Sequence, residues 1–346
     1  MARQTGFAVV LAVLVLLALE LVSRGYWALA HDAGFFDRDL LLHSFYPSLA
    51  PLAEGPPVRR DDERFDVLVL GASTVHRAWG SFPQQFDDAL RARGRPYRVY
   101  NLAAPGHTSR DSLIKYRQTA RHRFDLVFVY QGINELRADD VPPERFRSDF
   151  SHMDWYRELG PILARRRLAR AFTLPFTARR AWLVFSRVLG MREAVGLERL
   201  HRGWARYGAE HRSVTAMRAN LAAILATARE RGDPVLLSSF AWYVPADYTR
   251  EAFEARTLDY AYRGRSVPLE VWGLAENVES GLAAQNEMIA ALAAGSPEIR
   301  FVDVAGAIPR EGRYFNDVCH LSREGIALLV AAVMEACCAE GAAPAP

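Results

Sequence analysis

The apolar and polar positions of this chain form an apolar N-terminal stretch followed by alternating strand and helix patterns. Helical spacing of apolar residues is clearest over residues 213–231, where Gly232 provides a stop, and again after Ser322, a suitable N-cap. Strands that alternate with helices predict a three-layer α/β/α sandwich around a five-stranded parallel sheet. Five short apolar runs are typical of its buried strands: 66–71 (DVLVLG), 97–102 (YRVYNL), 125–130 (DLVFVY), 234–240 (PVLLSSF) and 299–304 (IRFVDV).

The N-terminal stretch is apolar enough to cross a membrane. Residues 6 to 22 carry one charge, that of Glu20, and as a helix they rise about 25 Å, slightly less than the ~30 Å hydrocarbon layer. Extension through Tyr26 and Trp27 would supply an aromatic anchor at the membrane interface. We therefore predict a transmembrane helix within residues 1–30.

A secretory signal peptide is the alternative interpretation of this stretch. The small residues "ALA" at 28–30 resemble a cleavage site, but they lie far from the apolar run, which favours a retained signal anchor. Arg3 precedes the run and the large domain follows it. This order favours export of the domain to the periplasmic or extracellular side.

Composition excludes several other classes of protein. The chain has 346 residues, is 50% hydrophobic and carries a formal charge of +3, so it can form a full core but does not have the charge typical of a nucleic-acid-binding protein. Cys319, Cys337 and Cys338 lack the paired spacing of a metal site, and no cofactor fingerprint is present. The sequence therefore predicts no nucleic acid partner, no metal and no cofactor. Cys319 is either a thiol nucleophile or a small buried spacer.

Polar residues follow the predicted strands at the edge where parallel sheets bind ligands, beyond the carboxyl ends of the strands. Ser73 follows the first strand, Gly106 the second and Asn134 the third. Asp317 and His320 follow the fifth strand, just before the last helix. We expect these five residues to line one crevice.

The four blocks in which these residues lie resemble those of the SGNH hydrolases, the GDSL-type esterase superfamily. They are LGASTV with Ser73, NLAAPGHTS with Gly106, YQGINE with Asn134, and NDVCHLSREG with Asp317 and His320, in order within residues 66 to 338. The resemblance implies a flavodoxin-like fold and an oxyanion hole formed by the backbone amides of Ser73 and Gly106 and the side-chain amide of Asn134. In acyl transfer a serine needs an imidazole to take its proton and a carboxylate to orient that imidazole, roles that Ser73, His320 and Asp317 would fill.

Two positions depart from the usual motifs of this family. The first block has Ala72 where aspartate is frequent, and the third has Glu135 where aspartate is usual. Neither residue performs the chemistry. We expect Glu135, which is longer by one methylene, to affect how neighbouring loops are oriented, and with it rate and substrate preference.

Each candidate residue also has a purely structural interpretation. Ser73 and Asn134 are suitable helix caps, Gly106 a turn glycine, and Asp317 with His320 a polar turn. Two further histidines near the crevice, His76 and His107, are expected to face substrate or to be structural rather than catalytic.

The sequence predicts an anchor at 1–30, a linker at 31–64 and a hydrolase domain at 65–340 with a helical, arginine-rich insertion at 141–212. Residues 161 to 212 contain twelve arginines and three glutamates, interleaved with aromatic side chains. This surface is either a solvated cap or a face that meets anionic lipid headgroups or an acidic glycan. Aromatic residues at 241–281 either line a sugar or acyl pocket or pack the loop.

We predict a membrane-anchored serine esterase that removes O-acyl groups from a glycan or lipid through an acyl-enzyme. An O-acyltransferase of an envelope or exported polysaccharide would use the same triad, because a sugar hydroxyl can replace water. A catalytically silent glycan-binding or scaffold protein would retain only the fold. The expected partners are the ester substrate and the membrane, or the substrate alone if the chain is secreted after signal cleavage.

Overall fold

The computed structural model describes residues 2–60, 63–191, 203–296 and 298–338, and a five-stranded parallel sheet forms its centre. The strand order is β2-β1-β3-β4-β5. The chain moves from β1 outward to β2 and then returns past β1 to β3, so the direction of the connections across the sheet reverses between β1 and β3. The predicted strands are confirmed, although the fourth and fifth are shorter than their apolar runs. Their bounds are β1 (Phe65–Gly71), β2 (Tyr97–Asn101), β3 (Leu126–Tyr130), β4 (Val235–Ser238) and β5 (Arg300–Val302).

The α-helices vary in length from one turn to the 29 residues of the N-terminal helix. In chain order they are α1 (Ala2–Ala30), α2 (Leu40–Phe45), α3 (Ala50–Glu54), α4 (Phe82–Arg91), α5 (Ser109–Gln118), α6 (Asp154–Ala164), α7 (Arg166–Ala171), α8 (Leu174–Val188), α9 (Arg212–Arg231), α10 (Arg250–Ala255), α11 (Ala275–Ala294), α12 (Val304–Ala307) and α13 (Arg323–Cys338).

Helices cover both faces of the sheet. α4 packs against α13, while α5 and α11 both pack against α9. α4 connects β1 to β2 in one direction across the sheet, and α5 connects β2 to β3 in the opposite direction. Since both crossovers are right-handed, α4 and α13 cover one face of the sheet, and α5, α9 and α11 cover the other. The predicted three-layer α/β/α sandwich is confirmed.

β1 and β3 are buried on both faces of the sheet, which explains why their sequences are continuous apolar runs. Residues 67 to 70 of β1 are fully buried, and β3 is buried along its whole length. In β1 and β3 the central residues are therefore apolar, and the candidate site residues lie in the loops beyond the strand ends. The reversal between β1 and β3 makes the carboxyl ends of these two strands the expected ligand edge.

Contacts divide the chain into two compact units, residues 55–149 with 197–346 around the sheet and residues 1–54 with 150–196. The segment predicted as a linker contains α2 and α3. The predicted domain boundaries remain a prediction. Residues 192–202 of the predicted insertion lie outside the described residues.

The second unit contains the apolar helix α1, whose two halves differ in their surroundings. Residues 4 to 30 could cross a membrane by length and composition, and the apolar side chains from Phe7 to Leu19 are exposed. Trp27, in contrast, is almost fully buried, with its indole Nε1 donating to Thr177 Oγ1 at 2.7 Å. The expectation that Trp27 is an interfacial anchor was wrong, because its ring packs within the protein under Arg180.

Candidate active site

The structure brings Ser73 and His320 together across 247 positions of the chain. Ser73 lies in a single 3₁₀ turn directly after β1, and its Oγ is 2.8 Å from His320 Nε2. His320 Nδ1 is 2.7 Å from Asp317 Oδ2. A carboxylate acceptor beside Nδ1 favours the tautomer in which Nδ1 carries the proton and Nε2 accepts from the Ser73 hydroxyl. All three side chains are buried.

Asp317 is held by backbone amides as well as by the imidazole. Its Oδ1 accepts from the amides of Cys319 at 3.0 Å and His320 at 2.8 Å, in a tight turn. Its Oδ2 also accepts from the Val267 amide at 2.7 Å. These hydrogen bonds fix the orientation of the Asp317 carboxylate. The carboxylate in turn orients the His320 imidazole, to which it is bonded.

Gly71 and Gly106 are required by the local geometry of the site. A Cβ at Gly71 would lie 2.4 Å from Val75 Cγ2 and 3.0 Å from the Tyr130 carbonyl oxygen, so only glycine lets β1 end beside β3 at this spacing. Gly106 has φ of +76°, in the left-handed region that favours glycine. It places the 102–107 loop, which follows β2, beside the end of β1.

Asn134 lies in the 3₁₀ segment after β3, and both ends of its amide are held. Nδ2 donates to the His107 carbonyl at 3.0 Å, and Oδ1 accepts from Trp272 Nε1 at 3.2 Å. An indole N–H can only donate, so it identifies this end of the amide as the oxygen. Nδ2 carries two hydrogens, so the bond to the His107 carbonyl leaves one of them free of that contact.

Glu135 braces two of the loops, as its extra methylene suggested. Its Oε1 accepts from the Ser109 amide at the N-terminus of α5, while Oε2 has no hydrogen-bond partner among the described residues. Burial raises the pKa of Glu135 to about 8. The side chain therefore connects the segment after β3 to the helix that follows the Gly106 loop.

Lys115, the only lysine of the chain, is buried beneath the Gly106 loop. Its Nζ donates to the Leu102 carbonyl and lies 2.9 Å from His107 Nδ1. Burial lowers the pKa of Lys115 to about 8 and, together with the nearby Lys115 charge, that of His107 to about 3. The Lys115 ammonium therefore donates to His107 Nδ1, and this contact lies within the protein.

Two tryptophans that the sequence did not single out as site residues flank His320. The Trp79 ring stacks on the imidazole, with centroids 4.2 Å apart and planes at 17°, and the Trp272 centroid lies 6.1 Å away. Trp79 lies only six positions after Ser73, but the stacking requires a loop from the far end of the chain. Trp272 belongs to the aromatic loop for which pocket lining and loop packing were both considered.

Two other candidates, Cys319 and His76, lie near Ser73, His320 and Asp317 in the sequence. Cys319 is fully buried, and burial raises the pKa of its thiol well above the ordinary value, so it is a spacer. Its Sγ lies 3.6 Å from His320 Nδ1. Asp317, Cys319 and His320 present ligand atoms within 4.8 Å of one another, but the first and last already bond to each other. His76 is half-buried, and its Nδ1 accepts from the Ala78 amide at 3.2 Å.

A buried series of hydroxyl, imidazole and carboxylate at the ligand edge of a parallel α/β/α sandwich is the arrangement that serine-dependent acyl transfer requires. The model of the GDSL-like lipase/acylhydrolase family matches residues 69–328, about three quarters of the chain. The chain belongs to this family, and it is a carboxylic ester hydrolase.

Several solved structures match this chain in a structural comparison at low sequence identity. A GDSL-like lipase from Bacteroides thetaiotaomicron has a TM-score of 0.44 and 14% identity, covering 85% of this chain and 96% of its own. An acetylxylan esterase from Geobacillus stearothermophilus has a TM-score of 0.42 and 14% identity over 80% and 95% of the two chains. A carbohydrate acetylesterase family member from Sinorhizobium meliloti has a TM-score of 0.41 and 14% identity over 78% and 95%. No curated protein matches the sequence.

Proposed function

We propose that the protein is a serine esterase that removes O-acyl groups from a glycan or lipid, with Ser73 as nucleophile. The observation that supports this most directly is the 2.8 Å contact between Ser73 Oγ and His320 Nε2. The other ring nitrogen of His320, Nδ1, lies 2.7 Å from Asp317. A serine hydroxyl becomes a useful nucleophile only when a base takes its proton. An oriented imidazole at hydrogen-bond distance meets that requirement.

The proposed reaction has two halves. Ser73 Oγ attacks the ester carbonyl carbon while its proton moves to His320 Nε2, and the carbonyl oxygen gains negative charge. The backbone amides of Ser73 and Gly106 and the Asn134 amide stabilise that charge. The bond to the alcohol then breaks as Nε2 returns the proton to the alcohol oxygen.

In the second half, water attacks the acyl group on Ser73 and gives its proton to Nε2. The acyl–serine bond breaks, the carboxylic acid leaves and Ser73 recovers its proton. Asp317 stays ionised throughout and stabilises the imidazolium that forms in each half.

A fluorophosphonate probe tests the nucleophile directly in the full-length protein in detergent. We expect one covalent adduct, mapped by mass spectrometry to Ser73 and absent from S73A. Ester hydrolysis should be lost in parallel. Labelling at another residue, or activity retained by S73A, would overturn the assignment, and a chain that neither reacts with the probe nor hydrolyses esters would be a silent scaffold. Product analysis with an added polysaccharide acceptor separates hydrolysis from acyl transfer to a hydroxyl group.

We also propose that α1 is retained as a single-pass membrane anchor, with the catalytic domain outside the cytoplasm. Glu20 accepts from the Thr173 and Leu174 amides at the start of α8, and Ser23 Oγ bonds to Thr173 Oγ1 at 2.7 Å. Cleavage after residue 30 would remove these partners and the buried Trp27. The membrane-extracted protein should therefore have an intact mass that includes α1, whereas a mass beginning at residue 31 would establish a cleaved signal.

The described part of the arginine-rich insertion supports a second membrane contact. Arg165 and Arg167 are exposed beside the exposed apolar side chains of Leu168 and Phe172. Basic groups next to apolar ones favour a surface of anionic lipid. In nanodiscs, quenching of a fluorophore at position 172 by brominated lipid should be stronger with anionic than with zwitterionic lipid. Equal or absent quenching would limit membrane contact to α1.

A further inference from the structure

Trp79 provides an aromatic surface directly beside the catalytic imidazole. It lies in the turn that follows Ser73, where its amide donates to the His76 carbonyl at 3.0 Å. One part of the indole stacks on His320, yet the residue is only half-buried. A molecule that reaches the Ser73 hydroxyl from this side must pass the exposed part of Trp79.

Arg265 adds an unpaired positive charge next to that surface. Its guanidinium carbon lies 5.8 Å from the Trp79 ring centroid, and its side chain is exposed. Arg265 forms no hydrogen bond or ion pair with any residue that the structure describes. Arg263, two positions earlier and also exposed, donates to Glu324 Oε1 at 3.1 Å. The loop therefore carries one arginine with a carboxylate partner and one without.

The direction of proton transfer indicates which part of the substrate meets these two residues. The leaving alcohol receives its proton from His320 Nε2, so the alcohol part must lie on the His320 side of the ester. The ester carbonyl oxygen lies on the other side, toward Gly106 and Asn134. Trp79 stacks on His320, so it and the neighbouring Arg265 face the alcohol part rather than the acyl part.

We propose that the alcohol part of the substrate is an anionic saccharide, whose carboxylate or sulfate pairs with Arg265 while its ring contacts Trp79. A guanidinium binds planar oxyanions through two parallel N–H donors, and aromatic rings provide an apolar surface for the C–H face of a sugar. This inference rests on the proposed esterase function and adds the class of substrate and the residue that selects it.

The test measures how oligosaccharides inhibit Ser73-dependent hydrolysis of p-nitrophenyl acetate by the full-length protein in detergent. The inhibitors are a glucuronic acid oligomer, a glucose oligomer of the same length and a 6-sulfated glucose oligomer. We expect the acidic oligomers to inhibit at about tenfold lower concentration than the neutral one, the difference expected for one charge-assisted pair at low salt. The ratio between the two acidic oligomers distinguishes carboxylate from sulfate.

Two variants locate the selectivity. R265Q should bring the inhibition constants of acidic and neutral oligomers together, whereas the matched control R263Q should retain the difference between them. Equal inhibition by all oligomers in the wild type, no inhibition by any of them, or a preference that survives in R265Q would overturn the inference. Each of these results leaves the esterase function intact, because p-nitrophenyl acetate turnover and its loss in S73A are measured in the same assay.

Discussion

At the scale of single residues, Asn134 is positioned from two sides, by the His107 carbonyl and by the Trp272 indole. Only an amide in one of its two flipped orientations satisfies both partners. That orientation keeps one N–H available for a developing oxyanion, which is the role that the proposed mechanism gives it.

Removing the Asn134 amide tests that role. N134A should lower kcat by about a hundredfold or more, the loss seen when one oxyanion donor is removed, while KM changes little because the donor acts mainly on the transition state. Circular dichroism should show an unchanged fold. A loss of less than tenfold in a folded variant would remove Asn134 from the oxyanion hole.

The Trp272 indole should matter through Asn134 rather than through substrate contact. W272F deletes the N–H donor to Asn134 Oδ1 and permits the amide to flip, so we expect kcat to fall by about tenfold, the scale of one lost hydrogen bond between buried groups, with KM nearly unchanged.

Trp242 provides the matched control, because it is a buried tryptophan of the same loop with Arg310 packed over its ring. W242F makes the same change in size at a tryptophan that does not contact Asn134, and it should keep its kcat. Equal losses in both variants would mean that the Trp272 effect is one of packing. A raised KM in W272F alone would instead indicate contact with substrate.

At the scale of elements, the site depends on helices that hold strand-following loops in place. Thr108 caps the N-terminus of α5 and forms a reciprocal capping box with Asp111, and Lys115 reaches from the middle of the helix to the Leu102 carbonyl. The capping signal can be read from the sequence, since threonine followed by aspartate three positions later is a common helix start. The reach of Lys115 back to its loop cannot, because it depends on how α5 packs.

α8 has an N-terminal cap supplied by another helix. Glu20 of α1 accepts from the Thr173 amide, the Thr173 hydroxyl and the Leu174 amide, at 2.7 to 2.9 Å. A carboxylate at this end also interacts favourably with the helix dipole. E20A should therefore lower the free energy of unfolding by ~1–2 kcal/mol, measured by thermal unfolding of the full-length protein in detergent.

The control for this effect is Glu54, an exposed glutamate at the end of α3 in the same unit. E54A should unfold like the wild type. If E20A is as stable as E54A, the Glu20 cap contributes nothing to the stability of α8, and this contact gives no reason for α1 to be retained.

At the scale of the whole molecule, buried carboxyl groups should make stability depend on pH. Burial raises the pKa of Glu135 and Asp140 to about 8 and that of Asp139 to about 7. In the folded state these groups keep protons that the unfolded chain has already released above pH ~5. These three carboxyl groups should therefore lower the free energy of unfolding as the pH rises from about 5 to about 8.

Glu135 isolates one part of that dependence. E135Q cannot lose a proton at this position, so across the same interval it should lose on the order of 2–3 kcal/mol less stability than the wild type. Unfolding temperatures measured at steps between pH 5 and pH 8 provide the comparison. E230Q, a change of an exposed carboxylate on α9, should follow the wild-type curve. Parallel curves for E135Q and wild type would show that Glu135 is ionised in the folded protein.

Much of the fold could be predicted because the signals for elements are local. The helix predicted at 213–231 is observed at Arg212–Arg231, and Gly232 ends it in the left-handed conformation with φ of +69°. Ser322 caps α13, accepting from the Gly325 amide at 3.2 Å. The role of Trp27 was predicted wrongly because apolar character alone does not distinguish a lipid-facing ring from one packed against another helix.

By itself the sequence determined the order of strands and helices, the apolar N-terminal helix and the short list of polar residues after the strands, because these depend on spacing over a few positions. Only the tertiary structure decided that Ser73 and His320 lie 2.8 Å apart, that the Val267 amide holds Asp317, and that Trp79 and Trp272 flank the imidazole. Such contacts join segments separated by tens to hundreds of residues. They arise from how the loops pack at the sheet edge, and no periodicity along the chain encodes that packing.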